Sequence, residues 1–205
     1  MVDSNDNTVN ICSAGQTAPK TYHHGDLRGA LVEAGMRLLE QRQSDDLGLR
    51  EVAREVGVSA TAVYRHFPDK QALLRALAER GFAMMGEMQA AAMQGREGAA
   101  AFAAVGSAYV RFALRQPAVF RLMFSSAPPA DLFDLPLVAV DGPMRILREQ
   151  VAALVPPGRP EAVRKPAAIG AWALVHGLAM LALDGMITLD DEMIDAVVAG
   201  AIREG

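Results

Sequence analysis

The chain has 205 residues, of which 51% are hydrophobic, and a formal net charge of -4 at pH 7. This apolar content suffices for a substantial core and excludes wholesale disorder. The one cysteine, Cys12, excludes an intrachain disulfide framework and a thiolate metal site, and it favours a reducing cytoplasm. The acidic total does not favour a nucleic-acid partner. Residues 20–82, with ten basic and nine acidic residues, are nevertheless the one segment that is not negative.

The first 20 residues are rich in Asp, Asn, Ser, Thr and Gly, which predicts a disordered tail. They lack the basic start and apolar stretch of a signal peptide, so secretion is not expected. After the tail, apolar residues recur at helical intervals from Leu27 through Leu38. They predict a first helix that reaches about Gln43, with Asp26 as its N-cap.

Two short helices are predicted next, over 49–56 and 60–67, with a turn over 57–59. Ala53 lies where two closely approaching helices leave room only for a small side chain, and Gly57 can adopt the left-handed conformation that turns the chain. Ser59 is placed to cap the second helix. The combined spacing favours a helix-turn-helix over an ordinary pair of short helices joined by a glycine turn.

The rest of the chain reads as further helices over 69–94, 97–116, 117–124, 137–154, 161–186 and 190–203, with a loop over 125–136. No stretch alternates with period two, so the predicted fold class is all-α, with about nine helices. Residues 166–183 carry no charge and just reach the length of a membrane span. Their six alanines, two glycines and proline favour a helix buried in a core or a dimer interface instead.

Three stretches carry a family resemblance: YHHGDLR at 22–28, GVS at 57–59 and VYRHFPDK at 63–70. They resemble the signature of the tetracycline-repressor (TetR/AcrR) family of transcriptional regulators, over residues 21 to about 82. The resemblance implies a DNA-binding domain at 21–82, with its recognition helix at about 60–67. It also implies a ligand-binding and dimerisation domain at 83–205.

The resemblance assigns the phosphate contacts to Tyr64 and Lys70, and chemistry agrees, since an ammonium at a helix start suits an anion. His66 either faces the DNA backbone or packs under the motif. Base reading falls to the start of the recognition helix and to Arg65, while Arg50 reaches a phosphate or a base. The candidate DNA-binding residues are Arg50, Ala60, Thr61, Ala62, Tyr64, Arg65, His66 and Lys70.

Leu49 and the histidine pair at 23–24 are weaker points of the motif. Leu49 stands where relatives usually have a hydroxyl that caps the helix and touches phosphate, which puts one phosphate contact in doubt. Gly48 or Asp46 is the expected substitute cap.

His23 and His24 do not predict a metal site, because adjacent side chains diverge and no further ligand pattern completes a set. No metal or other cofactor is expected.

The C-terminal half contains no recognisable catalytic motif. Trp172 and His176 are four residues apart and share a helix face. With Gly177 they resemble the Trp-His-Gly motif of one C-terminal subclass of the family, and residues 120–124 resemble the segment that accompanies it. The candidate ligand-binding residues, each of which also suits a simple core, are Phe102, Tyr109, Phe112, Phe120, Phe124, Trp172, His176 and Met180.

These observations predict a cytoplasmic, non-enzymatic repressor that a small apolar or aromatic ligand releases from a palindromic operator on double-stranded DNA. The predicted homodimer forms through the last two helices, at about 161–186 and 190–203, because two recognition helices read two half-sites. No membrane association is expected. The alternative is a helical enzyme or carrier without DNA binding, using His176 as a base, but it has no nucleophile or second catalytic group.

Overall fold

A computed structural model describes residues 26–41, 47–126, 132–155 and 161–204, without the side chains of 161, 162 and 202–204. The predicted tail at 1–20, the histidine arm at 23–24 and the substitute cap Asp46 lie outside the described residues. The described part forms nine α-helices and one short 3-10 helix, and no strands, which confirms the all-α prediction. The helices are α1 Leu27–Glu40, α2 Leu49–Val56, α3 Ala60–Tyr64, α4 Lys70–Met93, α5 Gly98–Arg115, α6 Pro117–Ser126, α7 Gly142–Leu154, α8 Glu161–Leu183 and α9 Asp191–Glu204.

The first three helices and the start of α4 enclose a small apolar core. Asp26 caps α1 by accepting from the amide of Gly29 at 2.8 Å, and Asp69 caps α4 by accepting from Ala72 at 2.7 Å. Both carboxylates satisfy amides that a helix start leaves without a partner. The fully buried side chains here are Leu31, Leu39, Leu47, Val52, Val63, Phe67, Leu73 and Leu77.

Helix α4 belongs to both halves of the protein. Its first turns pack on α1, where a Cβ at Gly35 would lie 2.7 Å from Cδ2 of Leu77. Further along, a Cβ at Gly81 would lie 2.8 Å from side-chain atoms of Val119 and Met123 in α6. The two glycines therefore allow α4 to approach a neighbouring helix on each side.

Helix α5 is central to the C-terminal half and packs against α4, α6, α7, α8 and α9. Arg111 of α5 fastens α9, since its guanidinium donates to Asp191 at 2.5 Å and to Asp195 at 2.9 Å. Hydrogen bonds from Arg111 and from the buried Ser107 hold the pKa of Asp195 below its ordinary value. The start of α9 is thus held by a charged, partly buried contact.

Four predicted helix ends differ from the structure by three residues or more. Helix α1 ends at Glu40 instead of about Gln43. The recognition helix ends at Tyr64 instead of about 67, and the amides of His66 and Phe67 both donate to the carbonyl of Val63 in a closing turn. Pro68 prevents the helix from continuing through Phe67, because the residue before a proline avoids the helical conformation. Helix α7 starts five residues later than predicted, at Gly142, whose φ is +56°.

Helix α8 ends at Leu183, three residues before its predicted end. Gly185 adopts a left-handed φ of +72°, and the amide of Met186 donates back to the carbonyl of Leu181 at 2.9 Å. This is the usual way in which a glycine closes a helix. Pro166 is the sixth residue of α8, so it lies inside the helix and removes one intrahelical hydrogen bond.

Candidate functional site

Helices α2 and α3 have the geometry of a helix-turn-helix. Gly57 closes α2 with a φ of +79°, and the amide of Val58 donates to the carbonyl of Ala53 at 2.9 Å. Ser59 caps α3 by accepting from the amide of Ala62 at 3.2 Å. Ala53 is only 3% exposed, as a close helix crossing requires. The roles predicted for Ala53, Gly57 and Ser59 are confirmed.

The candidate DNA-binding residues share one property, which is access to solvent. Tyr64 is 49% exposed although it is large and aromatic, and His66 is exposed and does not pack under the motif. Ala60 and Ala62 are partly buried on α3. The remaining candidates are all exposed, namely Arg50, Thr61, Arg65 and Lys70.

Leu49 points into the core and is 8% exposed, so its side chain cannot touch a phosphate. Gly48 occupies the cap position of α2 and makes no side-chain hydrogen bond there. The first amides of α2 therefore have no side-chain cap within the described residues.

The acidic residues of this region are offset by other arginines. Glu51 lies 3.9 Å from Arg54, and Glu55 lies 3.7 Å from Arg37 of α1. Arg50 and Arg65 form no ion pair within the part of the chain that the structure describes. The two pairs cancel equal numbers of positive and negative charges, so the sum of +1 for residues 20–82 is unchanged, and Arg50 and Arg65 keep their charge for a polyanion.

A cavity of about 1860 Å³ lies between α4, α5, α7 and α8, with two residues of α9 at its wall. Ligand pockets for small molecules are commonly ~300–1,000 Å³, so this one has room for a large or extended molecule. Among the candidate ligand-binding residues, the cavity wall includes Phe102, Tyr109, Phe124 and Trp172.

The other four candidates do not line the cavity. Phe112 and Phe120 are buried core residues. The ring of Phe120 packs behind the cavity wall. Its centroid lies 5.6 Å from the ring centroid of Tyr109 and 5.0 Å from that of Phe124. Met180 lies on a partly exposed turn of α8, and His176 contacts the wall residue Tyr109.

Three polar side chains form a directed hydrogen-bond chain across α5 and α8. The indole of Trp172 can only donate, and it donates to the hydroxyl of Tyr109 at 3.1 Å. That hydroxyl lies 2.9 Å from Nδ1 of His176. The direction of this second bond depends on the tautomer of His176: with the proton of the neutral imidazole on Nε2, the hydroxyl of Tyr109 donates to Nδ1.

Burial acts on both titrating members of this chain. It raises the pKa of Tyr109 above its ordinary value, with the bond from Trp172 opposing the change, and it lowers the pKa of His176. At neutral pH both groups are uncharged. The part of the cavity wall that Tyr109 forms with Trp172 is therefore polar and neutral, which suits an apolar ligand with few polar groups.

Several wall residues were not among the candidates. Phe82 and Gln89 lie on α4, and α7 contributes Met144, Leu147 and Val151. A signal for the α4 residues existed in the sequence, because 78, 82, 85 and 89 follow one another at helical spacing and continue the buried face. Nothing in the sequence separates the α7 residues from ordinary core.

Helices α8 and α9 leave apolar surface uncovered. Ile169, Leu181 and Met193 are 42%, 48% and 51% exposed, and a Cβ at Gly177 would meet no atom within 4 Å. Among the described helices, Val163–Leu183 alone has the length and apolar content for a membrane span, with a mean hydropathy of 1.7, yet only 22% of that stretch is buried. Within the described residues, no three His, Cys, Asp or Glu side chains gather as a metal site would require.

Comparison with known proteins agrees with this geometry. Residues 102–204 match the family "Tetracyclin repressor-like, C-terminal domain", and residues 31–77 match "Bacterial regulatory proteins, tetR family". The structure is similar to a protein of unknown function from Rhodococcus sp. RHA1, with 33% identity, coverage of 91% of this chain and 96% of the other, and a TM-score of 0.65.

Two regulators share the fold at lower identity. One is a TetR transcriptional regulator from Rhodococcus sp. RHA1, with 20% identity, coverage of 86% and 93%, and a TM-score of 0.57. The other is a variant of TetR from Acinetobacter baumannii AYE in complex with minocycline, with 19% identity, coverage of 86% and 92%, and a TM-score of 0.59.

Members of this family are DNA-binding transcriptional repressors with ligand-binding C-terminal domains, and they act as dimers. They are not enzymes, which decides against the alternative of a helical enzyme. The matched C-terminal domain, the helix-turn-helix and the exposed residues of α3 agree with one another. The chain belongs to the TetR family of bacterial transcription regulators.

Proposed function

We propose that this protein is a cytoplasmic homodimeric repressor that occupies a palindromic operator and leaves it when a small apolar or aromatic molecule fills the cavity. One observation carries the proposal, which is that α4 serves both sites. Lys70 begins this helix beside α3, and Phe82 and Gln89 on the same helix line the cavity. A ligand that displaces α4 therefore moves the start of the same helix.

At the DNA, Tyr64 and Lys70 hold phosphates, and His66 faces the backbone beside them. Thr61 and the partly exposed alanines of α3 meet base edges in the major groove, where Arg65 is suited to a bidentate contact with guanine. Arg50 reaches a phosphate or a base from the start of α2. The exposure of these residues and the absence of an ion pair at Arg50 and Arg65 within the described residues support these assignments.

In the cavity, Phe102, Tyr109, Phe124 and Trp172 contact the ligand, and His176 positions the hydroxyl of Tyr109. We assign the C-terminal half to the Trp-His-Gly subclass on the sequence of Trp172, His176 and Gly177. The hydrogen-bond chain through Tyr109 supports this grouping, because it explains why tryptophan and histidine stand four residues apart on α8.

The dimer forms through α8 and α9, whose exposed apolar residues Ile169, Leu181 and Met193 we call the apolar stripe. Exposed apolar surface on two helices is typical of a homodimer interface. A twofold axis through the stripe presents two α3 helices to half-sites about 34–36 Å apart, or a multiple of that spacing. A palindromic operator matches this symmetry.

We expect ligand coupling to reach α1 through two contacts, one from α4 and one from the end of α5. Arg80 of α4 donates to Glu33 of α1 at 3.2 Å, and Gln116 donates to Glu40 of α1 at 3.2 Å. Couplings between two sites are typically about 1–3 kcal/mol, which corresponds to a change in DNA affinity of roughly 5- to 150-fold. Ligand binding is expected to weaken operator binding within this range.

Selection of bound DNA from a random pool tests the proposal. The expected product is a palindrome whose half-sites have the spacing given above. A variant with Tyr64→Phe and Lys70→Ala should retain the fold, by circular dichroism, and fail to select any DNA. Recovery of no sequence preference, or of one asymmetric site per monomer, would refute the proposal.

A further inference from the structure

Gln89 is a buried amide with incomplete hydrogen bonding. It is 3% exposed and lines the cavity wall. Its Nε2 donates to the carbonyl of Val105 across 3.4 Å, which is longer than a normal N–H to oxygen bond. Its Oε1 is buried and has no protein partner within the described residues. Most buried side-chain oxygens in proteins have a hydrogen-bond partner, so this unpaired acceptor needs an explanation.

The orientation of the amide follows from its one contact. Exchanging Nε2 and Oε1 would bring an oxygen against the carbonyl oxygen of Val105, which is repulsive. Oε1 therefore remains the group without a donor. The terminal torsion of glutamine is broad, and the 3.4 Å bond resists rotation only weakly, so a small rotation presents Oε1 to a ligand in the cavity.

The surroundings limit the charge of a group that meets this oxygen. Among the described residues, the buried polar or charged side chains are Gln89 and Ser107, and neither carries a charge; the charged residues of the cavity wall, Arg75, Glu79 and Asp141, are exposed. An ammonium beside Gln89 would therefore be buried without a counter-charge, which is costly. A neutral hydroxyl or N–H group satisfies Oε1 without that cost.

The cavity also limits the shape of the ligand. Its α4 wall extends from Arg75 to Gln89, a separation of 14 residues, or about 21 Å along a helix. Arg75 and Glu79 are exposed and stand at one end of this wall, whereas Gln89 is buried. An extended molecule fits this space better than a compact one.

We propose that the ligand is an elongated, uncharged, largely apolar molecule whose hydroxyl or N–H group donates to Oε1 of Gln89. This inference rests on the proposed ligand-responsive function and names the chemical class of its ligand. Gln89 acts as the polar group that selects among apolar molecules of similar size, since a buried acceptor discriminates against a ligand that lacks the donor.

The test uses two probes that differ in one donor. Full-length protein is loaded with the dye Nile red, and 4-heptylphenol or its methyl ether, 4-heptylanisole, is added to displace it. We expect the phenol to displace the dye at a concentration about tenfold lower, the effect of one buried hydrogen bond. In Gln89→Met, which is similar in shape, that preference should vanish, with anisole binding unchanged.

The control variant is Gln94→Met, which changes an exposed glutamine at the end of the same helix and should keep the tenfold preference. Equal displacement by the two probes in the unmodified protein, or no displacement by either, overturns the proposal without any variant. A preference that persists in Gln89→Met overturns it as well. Operator retention is measured separately, so failure to bind DNA refutes the proposed function and leaves this result standing.

Discussion

The hydroxyl of Tyr109 lies 2.9 Å from Nδ1 of His176 and joins α5 to α8. The same hydroxyl accepts from the indole of Trp172. Tyr109→Phe removes both bonds and leaves two part-buried polar groups without a partner. We expect the free energy of unfolding to fall by about 1–3 kcal/mol, measured by urea denaturation.

The control for Tyr109→Phe is Tyr64→Phe, which removes an exposed hydroxyl. This variant should keep the free energy of unfolding to within roughly 0.5 kcal/mol, as is usual at surface positions, while weakening DNA retention. Equal loss of stability in the two variants would contradict the role assigned to Tyr109.

Acidification should destabilise the protein partly through His176. Burial lowers the pKa of His176 in the folded state, so the unfolded state binds a proton more readily. The contribution is present above the ordinary pKa of histidine, about 6.5, and is lost as the pH falls through the lower folded value. Between pH 7.5 and pH 5.5, the melting temperature should therefore fall more in the unmodified protein than in His176→Gln.

Glutamine at position 176 retains an acceptor for Tyr109 and does not titrate. The carboxylates and the other histidines are common to both proteins, so the difference between the two pH dependences isolates His176. Identical losses of melting temperature would mean that its proton is not linked to folding.

Phosphate and base contacts have different signatures in DNA binding. Lys70→Ala should weaken binding to all sequences and lower the slope of log affinity against log salt by about 0.9 for each phosphate that the lysine no longer neutralises, hence about 1.8 per dimer. Arg65→Ala should instead relax the base preference at one position of each half-site. Arg145→Ala, which changes an exposed arginine of α7, should alter neither.

The proposed interface predicts the effect of a single charge on the oligomeric state. Ile169→Glu or Leu181→Glu places a carboxylate in the apolar stripe of α8 and should yield a monomer by light scattering, because a buried unpaired charge is costly. Val138→Glu is the control, since Val138 is apolar and 90% exposed but lies outside α8 and α9. Dimers in all three variants would place the interface elsewhere.

Replacement by alanine should change the stability in opposite directions at two helical glycines, because Gly81 lies at the close approach of α4 and α6 and Gly170 does not. Gly81→Ala adds a Cβ 2.8 Å from Val119 and Met123, so overpacking should cost about 1–3 kcal/mol of unfolding free energy. Gly170→Ala meets nothing within 4 Å and should gain roughly 0.5–1 kcal/mol, as alanine does in a helix. Stabilisation by both changes would show that α6 moves freely relative to α4.

The helix-turn-helix could be predicted from the sequence because its requirements are local. A small residue at Ala53, a left-handed glycine at Gly57 and a cap at Ser59 each depend on neighbours within a few positions. The helix ends were less predictable where helix-forming residues lie next to a residue that breaks a helix, as at Pro68. Leu49 is buried, which agrees with the doubt that the sequence raised about a phosphate contact at that position.

The cavity was predicted only in part, because its wall depends on how distant helices pack. Phe120 and Phe124 are one turn apart and chemically identical, yet only Phe124 reaches the cavity. Gln89 could not be identified from the sequence, because a lone polar residue on the apolar face of a helix does not indicate a binding site until its burial is known. The residues of α7 line the cavity because of how this helix packs against distant parts of the chain, and no local sequence pattern encodes that packing.

Pairing through α8 and α9, as proposed, would make the stability of this regulator a function of its concentration. A free protomer would hold the apolar stripe in water and pairing would remove it, so dilution would shift the balance toward a less stable species. Newly made chains at low copy number would then have to find one another before proteolysis or aggregation removes them. The onset of repression after synthesis should then follow a second-order rate, with a delay that shortens as more of the regulator accumulates.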